Sequence, residues 1–164
     1  SEEVKEVGKA KKELAERDQI RRKFWTQLLV LAKQKSRLHA NISPSQHHWI
    51  GASAGKQGLG FNYVIRRNEA QVELYIDRGK DREDENMSIF KQIENEKSSI
   101  EESFGESLEW ESLEGRRACR IKNLIKEGGY QYDETKWPEI QTLMVDAMLR
   151  LEKALKPNIS TLNI

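Results

Sequence analysis

The chain has 164 residues, of which 37% are hydrophobic and 34% are charged. A chain of this length forms one domain with a substantial core, and its hydrophobic content excludes a disordered protein. It contains no apolar run as long as a membrane span and no signal-peptide pattern, so we expect no membrane association. The single cysteine, Cys119, excludes an internal disulfide and predicts a cytoplasmic protein.

The net charge of +1 conceals an asymmetry between the two halves of the chain. Residues 1–82 carry 17 Lys and Arg against 10 Asp and Glu, a balance of +7, whereas residues 83–164 carry 11 against 17, a balance of −6. Two interpretations follow. The basic half contacts an acidic partner or nucleic acid, or the two halves neutralise each other within the fold or in a head-to-tail homodimer.

The first predicted element is a long helix at residues 9–37, preceded by a polar segment at residues 1–8. Apolar residues between Phe24 and Ala32 form a wide stripe at helical spacing, whereas the front half of the helix is charged. We assign residues 1–20 to a linker and the N-terminal part of this long helix, residues 21–157 to a single α+β domain, and residues 158–164 to a C-terminal tail.

Three strands are predicted next. A short strand at residues 47–50 leads into a loop in which four glycines fall between Gly51 and Gly60. Residues 61–66 and 72–77 then alternate between apolar and polar side chains around a turn at residues 67–69, which is typical of a β-hairpin. Glu73, Tyr75 and Asp77 share one face of the second strand, which is either a polar site or the solvated side of the sheet.

The second half of the chain predicts two helices separated by a smaller hairpin. The first helix, capped by Asp84 or Asn86, runs to Phe104, and the hairpin covers residues 108–124. The last helix starts at Asp133 or Thr135 and ends at Pro157. The order helix, three strands, helix, strand or hairpin, helix predicts an α+β fold with one mainly antiparallel sheet and helices packed on it.

This order is loosely that of the PD-(D/E)xK nuclease core. The magnesium chemistry of such nucleases needs an acidic residue two positions before a lysine. Here neither Glu73-Leu-Tyr nor Asp77-Arg-Gly ends in lysine. Glu73 and Asp77 therefore remain only as the candidates of an alternative hypothesis, a divergent magnesium-dependent nuclease. Outside that alternative we predict no catalytic residue and no cofactor.

Three further motifs predict no chemistry. The segment from Gly51 to Lys56 is one residue shorter than a phosphate-binding P-loop, and a strand rather than a helix follows it. The neighbouring residues His47 and His48 point to opposite faces of a strand, and no zinc-ligand spacing is present, so we predict no metal site. Cys119 lies in an apparent strand, where a buried structural cysteine is expected.

Basic side chains are the best functional candidates. Arginines interleaved with an aromatic residue on a β-surface bind phosphates and stack on bases. The alternative is that Arg120 pairs with Glu109 or Glu111 across the smaller hairpin. The predicted nucleic-acid-binding residues are Lys56, Arg66, Arg67, Trp110, Arg116, Arg117, Arg120 and Lys122.

Several segments together resemble domain-of-unknown-function family 4268 of bacteria and archaea. The matching segments are Phe24-Trp25-x-x-Leu28-Leu29, NISPSQHHWIGASAGKQGLGFNYVI, AQVELYIDRG, Asn86-x-x-Ile89-Phe90, IEESFGESLEWESLEGRRACRI, WPEIQ and MLRLEKALKP. They cover roughly residues 20–157. The resemblance implies a C-terminal module of larger proteins, often behind a nuclease-like domain in restriction or genome-defence systems, and it implies no catalytic residue.

The leading hypothesis is a non-catalytic accessory domain of a prokaryotic nuclease or restriction protein that contributes DNA binding and contacts other domains of its parent protein. The second hypothesis is a protein-interaction or homodimerisation module, which the long first helix and the charge asymmetry favour. The divergent nuclease is the third.

Overall fold

The computed structural model describes residues 1–112, 117–131 and 133–164, which form both helices and strands. The first half consists of α1 (Glu2–Lys35), β1 (Trp49–Ser53), β2 (Leu59–Ile65) and β3 (Ala70–Ile76). The second half consists of α2 (Glu83–Glu94), α3 (Lys97–Phe104), β4 (Glu109–Glu111), β5 (Cys119–Ile125), a 3₁₀ turn (Glu134–Lys136) and α4 (Trp137–Ser160). The predicted α+β fold is confirmed.

The described strands form one antiparallel sheet in the order β1-β2-β3-β5-β4. The predicted main hairpin pairs Phe61 with Leu74 and Tyr63 with Val72, and the smaller hairpin pairs Trp110 with Ile121. Because side chains alternate along a strand, these residues all point to the same face of the sheet. That face is apolar and joins the hydrophobic core.

The helices cover the apolar face of the sheet. Helix α4 packs across β2, β3 and β5, while α1 and α3 pack against α4, and α2 packs on β3 and β5. The ring of Phe24 in α1 makes edge-to-face contacts with Trp25 at 5.4 Å and with Trp137 at 5.3 Å. This aromatic cluster fixes α1 against α4. Among the described residues, no helix covers the opposite face of the sheet.

Three predicted helix boundaries are wrong. The predicted helix through Phe104 is two helices, because the chain turns at Asn95 and Glu96. Helix α4 continues through Pro157 to Ser160, since this proline lies in the last turn, where few later residues depend on the helical bonds. Helix α1 begins at Glu2, seven residues before the predicted start, with the Ser1 hydroxyl accepting a hydrogen bond from the Val4 backbone.

Neither Asp84 nor Asn86 caps α2, which has Arg82 as its N-cap. The Asn86 side chain is buried instead. Its Oδ1 accepts a hydrogen bond from Arg78 N at 2.7 Å, and its Nδ2 donates to Arg117 O at 3.0 Å. Asn86 therefore connects the segment after β3 to the segment before β5. Within the described ranges, no helix has both the length and the apolar character of a membrane span.

The buried His39 predicts a pH-dependent stability. Its Nε2 donates to Phe61 O at 2.9 Å, and its ring lies 4.7 Å from that of Tyr63. Burial lowers the pKa of His39, and the hydrogen bond to Phe61 opposes that effect only in part. The native state therefore favours the neutral ring. Its contribution to stability is fully present above the unfolded-state pKa of about 6.5 and is lost as the pH falls below that value.

We expect the free energy of unfolding to decrease between about pH 7 and about pH 5 in urea titrations. The variant His39→Gln should lose less stability over this range, because an amide can still donate to Phe61 O but does not titrate. His47→Gln, which replaces an exposed ring, is the matched control. An equal loss in the wild type and in His39→Gln would contradict this explanation.

Candidate functional site

The face of the sheet opposite the helices contains a concave groove with a volume of about 740 Å³. Its floor is formed by outward-facing residues of β1, β2, β3 and β5. The glycine loop with Lys56 and Gly58 lies at one end, and His48 and Arg66 lie at the other. We call this the open-face groove. The sheet face that contains Glu73 and Tyr75, predicted as either a polar site or the solvated side, is therefore a groove with many polar side chains in its lining.

A buried carboxylate lies at the centre of the groove floor. Glu73 is only 3% exposed. Asn62, directly across the β2–β3 ladder, donates from Nδ2 to Glu73 Oε2 at 3.1 Å, and Gln71 donates from Nε2 to Oε1 at 2.7 Å. A buried charge is costly unless such donors compensate it. The three side chains therefore form a rigid, hydrogen-bonded floor.

Arg120 is held by this floor. Its Nε lies 3.5 Å from Glu73 Oε1, and its guanidinium lies over the Tyr75 ring at 5.1 Å. Among the described residues, neither of its terminal nitrogens has a hydrogen-bond acceptor. The side chain is 29% exposed. Arg120 thus presents a pre-positioned pair of donors to the groove, in the geometry that binds oxygens of phosphate or carboxylate groups.

Lys122 is the cation that pairs across the smaller hairpin. Its Nζ contacts the carboxylate of Glu111 and lies 3.7 Å from Glu109 Oε2. The alternative that Arg120 pairs with one of these glutamates is wrong, because its ion pair is with Glu73. Although Arg120 lies opposite Glu111 in the β4–β5 register, it extends toward the buried carboxylate of Glu73 on the other side of β5. Lys122 is consequently the less available of the two cations.

Gly51 makes room for the Asn62 side chain. A Cβ atom at position 51 would lie 2.0 Å from Asn62 Oδ1, far inside the contact distance of the two atoms. Gly51 and Asn62 face each other in the β1–β2 register, so the amide extends over the glycine before it reaches Glu73. At this position the absence of a side chain is therefore a requirement of the floor.

We expect Gly51→Ala to displace Asn62 from Glu73 and to lower the free energy of unfolding by about 2 kcal/mol, as overpacking of a close contact does. Chemical denaturation measures this loss. Gly8→Ala is the control, because a Cβ there has no neighbour within 4 Å and alanine favours the helix. A Gly51→Ala variant as stable as the control would show that Asn62 does not occupy this place.

The glycine loop is folded against the end of β3. Gly58 has a φ of +86°, and a Cβ there would lie 2.7 Å from Asp77 O. Arg78 Nη1 donates to Gln57 O at 2.6 Å, which ties the loop to the segment after β3. The loop leads directly into β2, as predicted, and not into a helix. Its backbone geometry therefore places Lys56 at the mouth of the groove.

The opposite end of the groove combines a cation, a histidine and an aromatic ring. The side chain of Trp49 is 46% exposed on the outer strand β1. Burial, and then the positive charges of Arg66 and Arg21, lower the pKa of His48. This end is electropositive, and it offers a ring on which a planar ligand can stack.

The structure brings four of the predicted binding residues together in the groove: Lys56, Arg66, Arg120 and Lys122. Arg67 is exposed at the hairpin tip but does not line the groove. Arg117 donates to Asp77 Oδ1 at 2.9 Å, also outside the lining. Arg116 lies outside the described residues.

Trp110 lies on the other side of the sheet from the groove. It pairs with Ile121, packs against Phe90 at 6.2 Å and donates from Nε1 to Glu101 Oε2 at 3.2 Å. Trp110 and Arg120 belong to neighbouring strands, but their side chains point to opposite faces of the sheet. The prediction that this ring and Arg120 share one surface is therefore wrong.

The two carboxylates of the nuclease alternative are not brought together. Asp77 lies four positions after Glu73 and directly follows β3, which corresponds to about 13 Å along an extended chain. Glu73 is buried in the groove floor, whereas Asp77 binds Arg117 and accepts a hydrogen bond from Gly79 N. Among the described residues, no group of three or more His, Cys, Asp or Glu side chains is placed to hold a metal ion.

Cys119 lies buried in β5, as predicted, with its thiol 3.8 Å from Asn86 O. The groove residues that escaped the sequence prediction include His48, Trp49, Asn62 and Gln71. Asn62 and Gln71 point to the same face of the sheet as Glu73 and Tyr75, so the alternation along the strands could have identified them. The exposure of Trp49 depends on the position of β1 at the sheet edge, which the pattern does not specify.

A comparison with protein families identifies the chain. The model described as "Domain of unknown function (DUF4268)" matches residues 20–159, which is most of the chain. The chain belongs to the DUF4268 family. The match includes all five described strands of this DUF4268 chain, and hence the groove floor, and it begins within α1. Neither the curated proteins nor the solved structures contain a match.

Proposed function

We propose that the open-face groove binds a nucleic-acid strand. The observation that supports this most directly is the arrangement of Arg120. Its Nε faces Glu73 and its guanidinium lies over the Tyr75 ring, while its terminal nitrogens lack acceptors among the described residues. A guanidinium that is already oriented loses little conformational freedom when it binds a phosphate.

The groove offers both contacts that a strand needs. Lys56 and Arg66 lie at its two ends and make no ion pair within the described residues, so their charges are available to phosphates. The exposed Trp49 ring offers a surface on which a base can stack. Phosphate contacts supply affinity and salt dependence, and stacking supplies affinity that tolerates any base.

A single strand fits this surface better than a duplex. Glu69, Glu73 and Glu111 also line the groove, and they oppose a dense array of phosphates. The unpaired bases of a single strand can instead face the floor, where amides and carboxylates recognise base edges. We therefore propose single-stranded DNA or RNA as the ligand class.

The wider setting we propose is an accessory module of a prokaryotic nuclease, restriction or genome-defence protein, without catalysis of its own. A second function, contact with another domain of the parent protein or with a second copy, is favoured by one observation. Val4, Val7 and Leu14 on the front half of α1 are 71%, 55% and 50% exposed. Apolar side chains on a projecting helix are typical of an interaction surface.

We expect Lys56→Gln/Arg66→Gln to weaken the binding of a fluorescent single-stranded oligonucleotide by on the order of tenfold or more, because two charge-assisted contacts are removed. The plot of the logarithm of the association constant against the logarithm of the salt concentration should become less steep by about 1.4, since each single-strand phosphate contact contributes about 0.7. Fluorescence anisotropy measures both quantities. The matched control is Lys9→Gln/Lys12→Gln, which removes two charges from the exposed part of α1. Equal weakening in both variants would show that affinity depends only on net charge, and it would overturn the proposed site.

A further inference from the structure

A second cationic cluster lies beside the end of the groove, on α1. Arg17 and Arg21 are one helical turn apart and thus share a face of the helix. Arg21 Nη1 lies 3.5 Å from Gln46 O, and the Trp25 indole donates to His47 O at 2.8 Å, so this face of α1 lies along the connector that leads to His48.

The connector joins this helix face to the groove. Ile65 N donates to His48 O at 2.8 Å, which places His48 beside the strand end that leads to Arg66. Burial, and then the charge of Arg17, lower the pKa of Arg21, and Arg66 adds to this effect. The positive charges of Arg17 and Arg66 therefore both act on Arg21.

Two guanidinium groups of the cluster each have a donor without an acceptor among the described residues. The Nε atoms of both Arg17 and Arg21 are shielded from solvent and have no hydrogen-bond partner among the described residues. Such buried, unsatisfied donors are rare in native proteins and call for an explanation. An anion cannot reach these shielded Nε atoms, but it can bind the remaining nitrogens of the same groups, since the Arg17 side chain is 39% exposed.

The nearby carboxylates do not cancel the positive charge. Asp18 lies 3.3 Å from Arg17 Nη2, which leaves three arginines against one aspartate, a balance of +2. Glu69 lines the groove near Arg66, and its inclusion still leaves +1. Glu134 is engaged by Lys23 at 2.6 Å and is not available.

We propose that Arg17, Arg21, Arg66 and His48 form a binding site for a phosphate group at the end of the open-face groove. Several guanidinium groups beside the same end of the groove match the multiple oxygens and the double charge of phosphate better than a single lysine does. The phosphate belongs either to a strand that leaves the groove or to a free phosphorylated molecule. The assignment to a strand rests on the proposed function, whereas the phosphate site itself does not.

The test uses NMR spectra of the arginine Nε–Hε groups and of the His48 ring in the wild-type chain, titrated with inorganic phosphate. We expect saturable shifts at Arg17, Arg21 and His48. Sodium chloride at equal ionic strength should not reproduce them. The variant Arg21→Gln should weaken phosphate binding about tenfold, whereas Lys12→Gln, one of the exposed positions on the same helix, should leave it unchanged.

A second titration with a single-stranded oligonucleotide distinguishes the sources. If the oligonucleotide shifts the same arginine signals, the phosphate comes from the strand. If inorganic phosphate shifts them but the oligonucleotide does not bind, the site is that of a small phosphorylated ligand, and the proposed function of the groove fails while this inference stands. No saturable shift with phosphate, or an equal response to chloride, overturns the inference. Because these signals are read in the wild-type chain, a misfolded variant cannot obscure the result.

Discussion

Replacing Glu73 by Ala is expected to lower the free energy of unfolding by about 3 kcal/mol, because removal of one member of a buried ionic network leaves its partners uncompensated. Asn62 and Gln71 are 7% and 6% exposed, so their amides would lose an acceptor without gaining water in its place. Arg120 would lose its counter-charge. Equilibrium unfolding in urea measures the effect.

Two comparisons make the result specific to the network. Glu69→Ala removes a carboxylate from the exposed hairpin tip and should change stability by less than about 0.5 kcal/mol. Glu73→Gln keeps the shape of the side chain, so its loss of stability should lie between those of Glu69→Ala and Glu73→Ala. A loss for Glu73→Ala no larger than that for Glu69→Ala would mean that the groove floor is not the rigid network described above.

Replacing Arg120 by Gln is expected to weaken single-stranded oligonucleotide binding by on the order of tenfold, with a decrease of about 0.7 in the salt slope. Arg120→Lys should be intermediate, because a lysine keeps the charge but neither stacks on Tyr75 nor presents two parallel donors. Anisotropy titrations at several salt concentrations give both values.

Arg37→Gln, an exposed arginine that does not line the groove, is the matched control for the loss of one charge. Thermal unfolding of each variant shows whether it is folded at the temperature of the titration. An Arg120→Gln variant that is folded and binds as tightly as Arg37→Gln would exclude Arg120 from the interface.

The elements that depend on local pattern could be predicted from the sequence. Period-two alternation identified both hairpins, and helical spacing identified the apolar stripes of α1 and α4, because these patterns arise from burial of one face against the core. The helix break at Asn95–Glu96 has no glycine or proline to mark it, and Pro157 was a misleading signal, since a proline in the last turn does not end the helix.

The site was less predictable because it depends on which strands become neighbours. The sequence identifies Arg120 as a candidate, and the alternative partners that it offers, Glu109 and Glu111, lie on β4. Only the position of β5 between β3 and β4 brings Glu73 within reach of Arg120. Trp110 was assigned to the wrong face because the alternation phase of the short strand β4 could not be read from three residues. Arg17 and Arg21 lie far from the groove in sequence, so only the fold associates them with His48.

The central claim, that the open-face groove binds a nucleic-acid strand, is tested most directly by fluorescence anisotropy of a labelled single-stranded oligonucleotide titrated with the wild-type chain at increasing salt. We expect saturable binding. The logarithm of the association constant should decrease linearly with the logarithm of the salt concentration, and the matching duplex should bind more weakly. Absence of binding at low salt and at protein concentrations above about 100 µM would fall short even of typical non-specific affinity and would contradict the claim.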